Sequence, residues 1–234
     1  MSWGNIMLVM LIFVVLVYTV IPNFFIKTLG FGSFKSQVAS GVAITFDDGP
    51  DPEITPQIID ILDQHGLIAT FFVVGEKAAR YPELIKTIQD RGHKLGAHSH
   101  HHEFAWFMSP WKTWRDWEDC NATLERLIGE KVVLVRPPWG TFNLSTWLWI
   151  KSHHKQVVLW NVDGHDWQRR RSPERIITRI LKRIKPGSIV LLHDAGGETG
   201  APQNTLSALD ELCCRIVQEK KLPLVALKLP KFGK

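Results

Sequence analysis

Two adjacent carboxylates, Asp47 and Asp48, stand in Thr45-Phe46-Asp47-Asp48-Gly49-Pro50, where glycine and proline force a turn behind them. Neighbouring acids in one pocket can divide labour. One binds a cation, and the other, kept ionised by the cation's field, acts as a general base. A second cluster, His98-Ser99-His100-His101-His102, is a dense source of metal ligands. Spacing i, i+4 on a helical turn favours His98 and His102 as the converging pair, with His98 and His101 at i, i+3 as the alternative. With Asp48 as third ligand, such a set leaves a position open for water, as catalytic metal sites require.

Three further fragments carry chemical groups. In Arg136-Pro137-Pro138-Trp139-Gly140 the guanidinium can hold a carboxylate and Trp139 can stack on a sugar face. Asp163-Gly164-His165-Asp166-Trp167 and Leu191-Leu192-His193-Asp194 each combine an acid with a histidine, an arrangement suited to proton transfer.

These fragments need elements that bring them together. Short apolar runs at Val42 to Phe46, Ile68 to Val74, near Lys94 to Ala97, Val132 to Val135, Val157 to Trp160 and Ile189 to Leu192 read as buried strands. Helical patterns lie between them. Residues 54 to 65 place Ile54, Ile58, Ile61, Leu62 and His65 on one face, and Ser109-Pro110 and Ser172-Pro173 each supply an N-cap followed by proline at the first helical position. Alternation of this kind predicts an α/β fold, a distorted (β/α) barrel of about seven parallel strands, with a doubly wound open sheet as the alternative. Either fold puts reactive groups at the carboxyl ends of the strands, where all these fragments fall. The Trp-rich stretch Trp106, Trp111, Trp114 and Trp117 can be read as a sugar platform, but Trp111, Trp114, Trp117, Asn121, Leu124 and Ile128 recur at near-helical spacing, which favours packing in the core, and Gly196 to Gly200 reads as a mobile flap or a plain connector.

Ahead of the first strand, Ile6 to Ile26 is uncharged and about long enough to cross a bilayer as a helix. No Lys or Arg precedes it and no small-residue cleavage pattern follows, so an uncleaved anchor is favoured over a signal peptide. The expected organisation is a transmembrane anchor over residues 1–29, a tether over 30–41 and one catalytic domain over 42–234. A formal charge of +5 with scattered basic residues gives no footprint for nucleic acid, and three cysteines make no disulfide framework.

Taken in order, the five motifs resemble those of the NodB-homology polysaccharide deacetylases, carbohydrate esterase family 4, over roughly residues 42 to 227. The resemblance implies metal-dependent hydrolysis of N-acetyl groups from peptidoglycan or a chitin-like N-acetylglucosamine polymer, with cation-activated water as nucleophile. It assigns Asp47 as base, and Asp48, His98 and His102 as ligands of zinc, with cobalt or nickel possible. Arg136 steadies the base, His193 is the general acid and Asp163 tunes it. Pro138, Trp139, Gly140, Asp166, Trp167 and Leu191 are assigned to the substrate, with Trp139 where Tyr or Phe is commoner. A lipid-linked amino sugar as substrate, deacetylated or deformylated, is the alternative, followed by an inactive carbohydrate-binding scaffold. The expected place is the cell membrane, single-pass, with the domain outside the cytoplasm.

Overall fold

A computed structural model describes residues 2–29 and 40–227. The tether expected over 30–41 lies almost wholly outside these residues. Seven strands form one sheet: β1 (Val42–Asp47), β2 (Thr70–Val73), β3 (Lys94–Ala97), β4 (Leu134–Val135), β5 (Gln156–Val157), β6 (Val162–Asp163) and β7 (Ser188–His193). Their order is β5-β4-β3-β2-β1-β7-β6 and all pairings are parallel. The order runs one way around, as in a barrel left open between β5 and β6. A doubly wound sheet would reverse direction in its middle.

All six residues of β1 are buried, yet period-two alternation still sorts them. Val42, Ile44 and Phe46 face the layer of helices, while Ala43 joins Phe72, Leu134, Val158 and Ile189 in the interior of the curved sheet. The same parity fixes the chemistry. Thr45 and Asp47 follow Ala43 inward, Arg136 follows Leu134, and Leu191 and His193 follow Ile189. Asp47, Arg136 and His193 therefore gather at the carboxyl end of the sheet, and the register sets Asp47 beside His193.

The helices cover the outer face: α3 (Ile54–Gln64), α4 (Gly75–Arg80), α5 (Pro82–Asp90), α6 (Pro110–Ile128), α7 (Leu144–Ser152), α8 (Pro173–Leu181) and α9 (Ala201–Gln218), after α1 and α2 of the amino-terminal segment. Ser109 caps α6 as expected, its Oγ accepting from the Lys112 amide at 3.3 Å. Several elements depart from the sequence reading. The run Val157 to Trp160 is not one strand: β5 ends at Val157, and the separate two-residue strand β6 carries Asp163. Of the tryptophans of that stretch, Trp117 is buried and stacks on Trp149 at 5.4 Å, but Trp106 and Trp111 are exposed. The glycine-rich connector is not a free flap. Glu198 donates its amide to Trp167 O at 2.9 Å and accepts the Arg169 amide at the same distance.

The amino-terminal segment is helical throughout, α1 (Trp3–Val15) and α2 (Ile21–Leu29) joined by a π-helical turn at Leu16–Val20. Pro22 explains that turn, since it has no N–H to offer the carbonyl one turn back. Trp3–Lys27 is long and apolar enough to cross a membrane.

Candidate metal centre and catalytic cleft

Asp48 sits immediately after β1 with φ 72°, held by Lys77, whose Nζ donates to the Asp48 carbonyl at 2.8 Å. Its Oδ1 lies 3.3 Å from His98 Nε2 and 2.9 Å from His102 Nε2. His98 Nδ1 is 2.5 Å from the Arg136 carbonyl, which can only accept. Nδ1 therefore donates, which fixes the ring and leaves Nε2 as the atom that faces Asp48. One carboxylate oxygen and ring nitrogens from two histidines converge within 4.8 Å of one another, the donor set a divalent cation requires. Burial pushes the Asp48 carboxyl up, but hydrogen bonds from His102 and His98 outweigh it and hold the group well below the ordinary range.

The two histidines do not meet on a helical turn as the spacing suggested. Residues 98 to 102 form a tight loop in which Ser99 (φ 63°) and His102 (φ 54°) are left-handed and Ser99 Oγ accepts the His102 amide at 3.0 Å. Asp116 of α6 fixes the loop by accepting the amides of His100 and His101, both at 3.0 Å. His100 turns against Gly75, where a Cβ would come within 2.5 Å of its Nδ1, and His101 faces Glu76 at 3.5 Å. Neither joins the Asp48 cluster. Five of the seven described non-glycine residues with positive φ, Asp48, Ser99, His102, Trp139 and His165, stand around this cleft, a concentration of strain typical of working sites.

Asp47 is buried beside the cluster. Arg136, wholly buried, donates NH1 to Asp47 Oδ1 at 2.6 Å and to Thr45 Oγ1 at 2.8 Å, and Nε to Val158 O at 2.9 Å, with its guanidinium 4.1 Å above the Phe72 ring. One Asp47 oxygen is thus occupied, while Oδ2 lies 3.8 Å from His98 Nε2. Across the cleft, His193 Nδ1 bonds Asp166 Oδ1 at 2.9 Å, its amide bonds Asp166 Oδ2 at 2.7 Å, and Thr205 Oγ1 donates to that same oxygen at 2.7 Å. Burial pushes the His193 imidazole down, but the charge and hydrogen bond of Asp166, with Asp48 and Asp47 beyond, raise it to about 10.

Four assignments change. The acid that orients His193 is Asp166 and not Asp163, which accepts the His165 amide at 2.6 Å instead. Asp166 is therefore not a substrate contact: it is fully buried and both oxygens are bonded inside the protein. Pro138 is likewise buried and the Gly140 amide is bonded to Pro137 O at 2.9 Å, so Trp139 alone of that motif reaches the cleft, its ring 4.5 Å from that of His102. Asp163, Trp167 and Leu191 line the same cavity, which holds about 630 Å3.

Lys77, Asp116, Thr205 and Gly196 support this arrangement without any motif to announce them. At Gly196 (φ 71°) a Cβ would lie 2.3 Å from Asp48 Oδ2, so only glycine lets the loop after β7 close on the cluster.

A polysaccharide deacetylase family model matches residues 35–158, more than half the chain. This chain belongs to the polysaccharide deacetylases of carbohydrate esterase family 4. It is 38% identical to a peptidoglycan-N-acetylglucosamine deacetylase of Bacillus cereus over 73% of this chain and 79% of that one. It is 34% identical to a chitooligosaccharide deacetylase of Azorhizobium caulinodans over 72% and 80%. The solved structure of the Bc1960 peptidoglycan N-acetylglucosamine deacetylase superposes with a TM-score of 0.77 at 33% identity, covering 83% of this chain and 90% of its own. As the motifs implied, the enzyme is a metal-dependent hydrolase that deacetylates amino-sugar polysaccharides.

Proposed function

We propose that this deacetylase acts on N-acetylglucosamine of peptidoglycan at the outer face of a membrane to which its amino-terminal helix anchors it, with zinc as the native metal. The observation that carries the chemistry is the convergence of Asp48, His98 and His102 beside Asp47 and opposite His193 in one cleft. A carboxylate and two neutral imidazoles suit zinc, and would also accept cobalt or nickel. The cation supplies Lewis-acid polarisation of the acetyl carbonyl and acidification of water.

The chain's own groups do the rest. Asp47, one oxygen pinned by Arg136, offers Oδ2 to take a proton from the attacking water. With the Gly140 amide engaged, the backbone N–H of Trp139 is the donor of that turn left for the oxyanion. As the C–N bond breaks, His193, held by Asp166 through Nδ1, delivers its Nε2 proton to the leaving nitrogen, giving a free amino sugar and acetate. Leu191 packs against the acetyl methyl, and Trp139 and Trp167 flank the sugar. Acetate release measured in parallel on peptidoglycan, chitooligosaccharides and a lipid-linked amino sugar is expected to be fastest on peptidoglycan. Preferential turnover of either other substrate would replace the assignment.

The uncleaved-anchor reading gains support from polar side chains of the helix that are bonded to the domain. Asn23 donates to Phe142 O and accepts the Phe142 amide at 3.1 Å, and Tyr18 donates its hydroxyl to Met108 O at 3.0 Å. Because envelope glycan lies outside the cytoplasm, protease added to intact cells is expected to digest the catalytic domain. Complete protection until the cells are permeabilised would place it on the other side.

A further inference from the structure

The anchor helix does not leave the domain on a free stalk. Its last turns are built into it: Tyr18 bonds Met108 beside Ser145, Asn23 clamps the backbone of Phe142, and Thr19, Asn23 and Ile26 are buried. Helix length then constrains where the bilayer lies. The helix begins at Trp3, where Ser2 caps it through the Asn5 amide. The stretch long and apolar enough to cross a membrane runs on to Lys27, past Tyr18 and Asn23. The span therefore includes part of the docked stretch, and the outward face of that stretch is apolar, with Val20, Ile21, Phe24 and Phe25 exposed. The domain surface touching Tyr18 and Asn23 must then lie at the depth of the headgroups.

That surface is unusual in composition. Beside Met108, the turn at Ala105–Phe107 presents Trp106 and Phe107, the latter 90% exposed. The start of α6 presents Trp111, 75% exposed, and α7, whose first turn holds Ser145 next to Tyr18, presents Leu148. These segments are one unit, since Asn143 at the head of α7 donates to Ala105 O at 2.7 Å and to Thr113 Oγ1 of α6 at 2.8 Å. Exposed aromatics ringing the exit of an apolar helix match the headgroup level of a bilayer, where tryptophan is favoured.

We propose that Trp106, Phe107, Trp111 and Leu148 form a shoulder that seats in the headgroup layer around the emerging helix, holding the domain against the lipid instead of letting it swing on a tether. This rests on the membrane-anchor reading above. It also sets where the enzyme works. Aromatic rings run from the shoulder to the cleft, Trp106 to Phe104 at 5.8 Å, Phe104 to Trp139 at 5.4 Å and Trp139 to His102 at 4.5 Å, so the cleft opens beside the lipid surface and favours glycan close to the membrane.

The test uses the full chain carrying Cys214→Ser, since Cys120 and Cys213 are buried. A single cysteine is placed at Phe107, Trp111 or, as a control on α9, Glu211. Each is labelled with an environment-sensitive fluorophore and reconstituted in phosphatidylglycerol–phosphatidylethanolamine vesicles, with or without lipid brominated near the glycerol end. The expected result is flotation with the vesicles, a blue shift and loss of most fluorescence to brominated lipid at positions 107 and 111, and neither change at 211. Flotation with the same water-like signal at all three positions would overturn the shoulder while leaving the anchor intact. A blue shift that brominated lipid does not quench would mean that a second copy covers the patch, and would also overturn it. Failure to float would remove the anchor and the shoulder together.

Discussion

Replacing His193 by glutamine is expected to lower turnover roughly a hundred- to ten-thousand-fold, the range for a lost general acid, while bound metal stays at the wild-type level because His193 lies outside the Asp48 cluster. The more telling variant is Asp166→Asn. In the native protein Asp166 is the main group lifting His193 against its burial, to about 10. A group raised in this way keeps its proton at lower pH and loses it as pH rises through the raised value. Activity that needs the imidazolium should therefore persist through neutral pH and fall only on the alkaline side. Part of the lift comes from Asp48 and Asp47, and a cation bound to Asp48 offsets it, so the alkaline limb of the loaded enzyme lies below that value. Removing the Asp166 charge leaves burial dominant. The alkaline limb of kcat against pH should then move to lower pH, and much of the neutral-pH activity should go with it. Asp163→Asn, which leaves the His193 pair intact, should leave the position of that limb in place. A limb that follows Asp163 and ignores Asp166 would contradict the observed pairing.

The contrast between those acids shows where the sequence ran out. Strand ends were legible because apolar runs stop abruptly at Asp47, Ala97, Val135 and His193, and parity then aims the polar groups that follow. In Asp163-Gly164-His165-Asp166 both acids have plausible spacing from a strand. The choice between them depends on left-handed His165 (φ 55°) and on Thr205, which arrives from α9 and leaves no local signal. β6 was hidden because Val162, set between Asn161 and Asp163, has no apolar run of its own to mark it. The i, i+4 spacing of His98 and His102 named the right pair for the cluster through a wrong geometry: the loop depends on two left-handed residues and on Asp116, a mid-helix acid that reads as surface. Trp111 fitted a core pattern by spacing alone. Nothing in that spacing reveals that the first turn of α6 leaves Trp111 exposed.

The second large effect separates the adjacent carboxylates. Asp47→Asn keeps the shape of the side chain, and its carbonyl oxygen can still accept from Arg136, but an amide cannot take up the proton of the attacking water. Turnover should fall a hundred-fold or more, as expected for a missing general base. Asp48→Asn instead withdraws the only anionic member of the Asp48, His98, His102 set. Metal affinity should weaken first, and excess zinc or cobalt should restore part of the activity, which no added metal should do for Asp47→Asn.

One paired measurement on the purified variants tests this division of labour: metal bound per protein alongside acetate released, with and without excess zinc. Near-native metal with lost turnover is expected in Asp47→Asn, and lost metal with turnover partly recovered by zinc in Asp48→Asn. Equal metal loss in both variants, or near-normal turnover in Asp47→Asn, would contradict it.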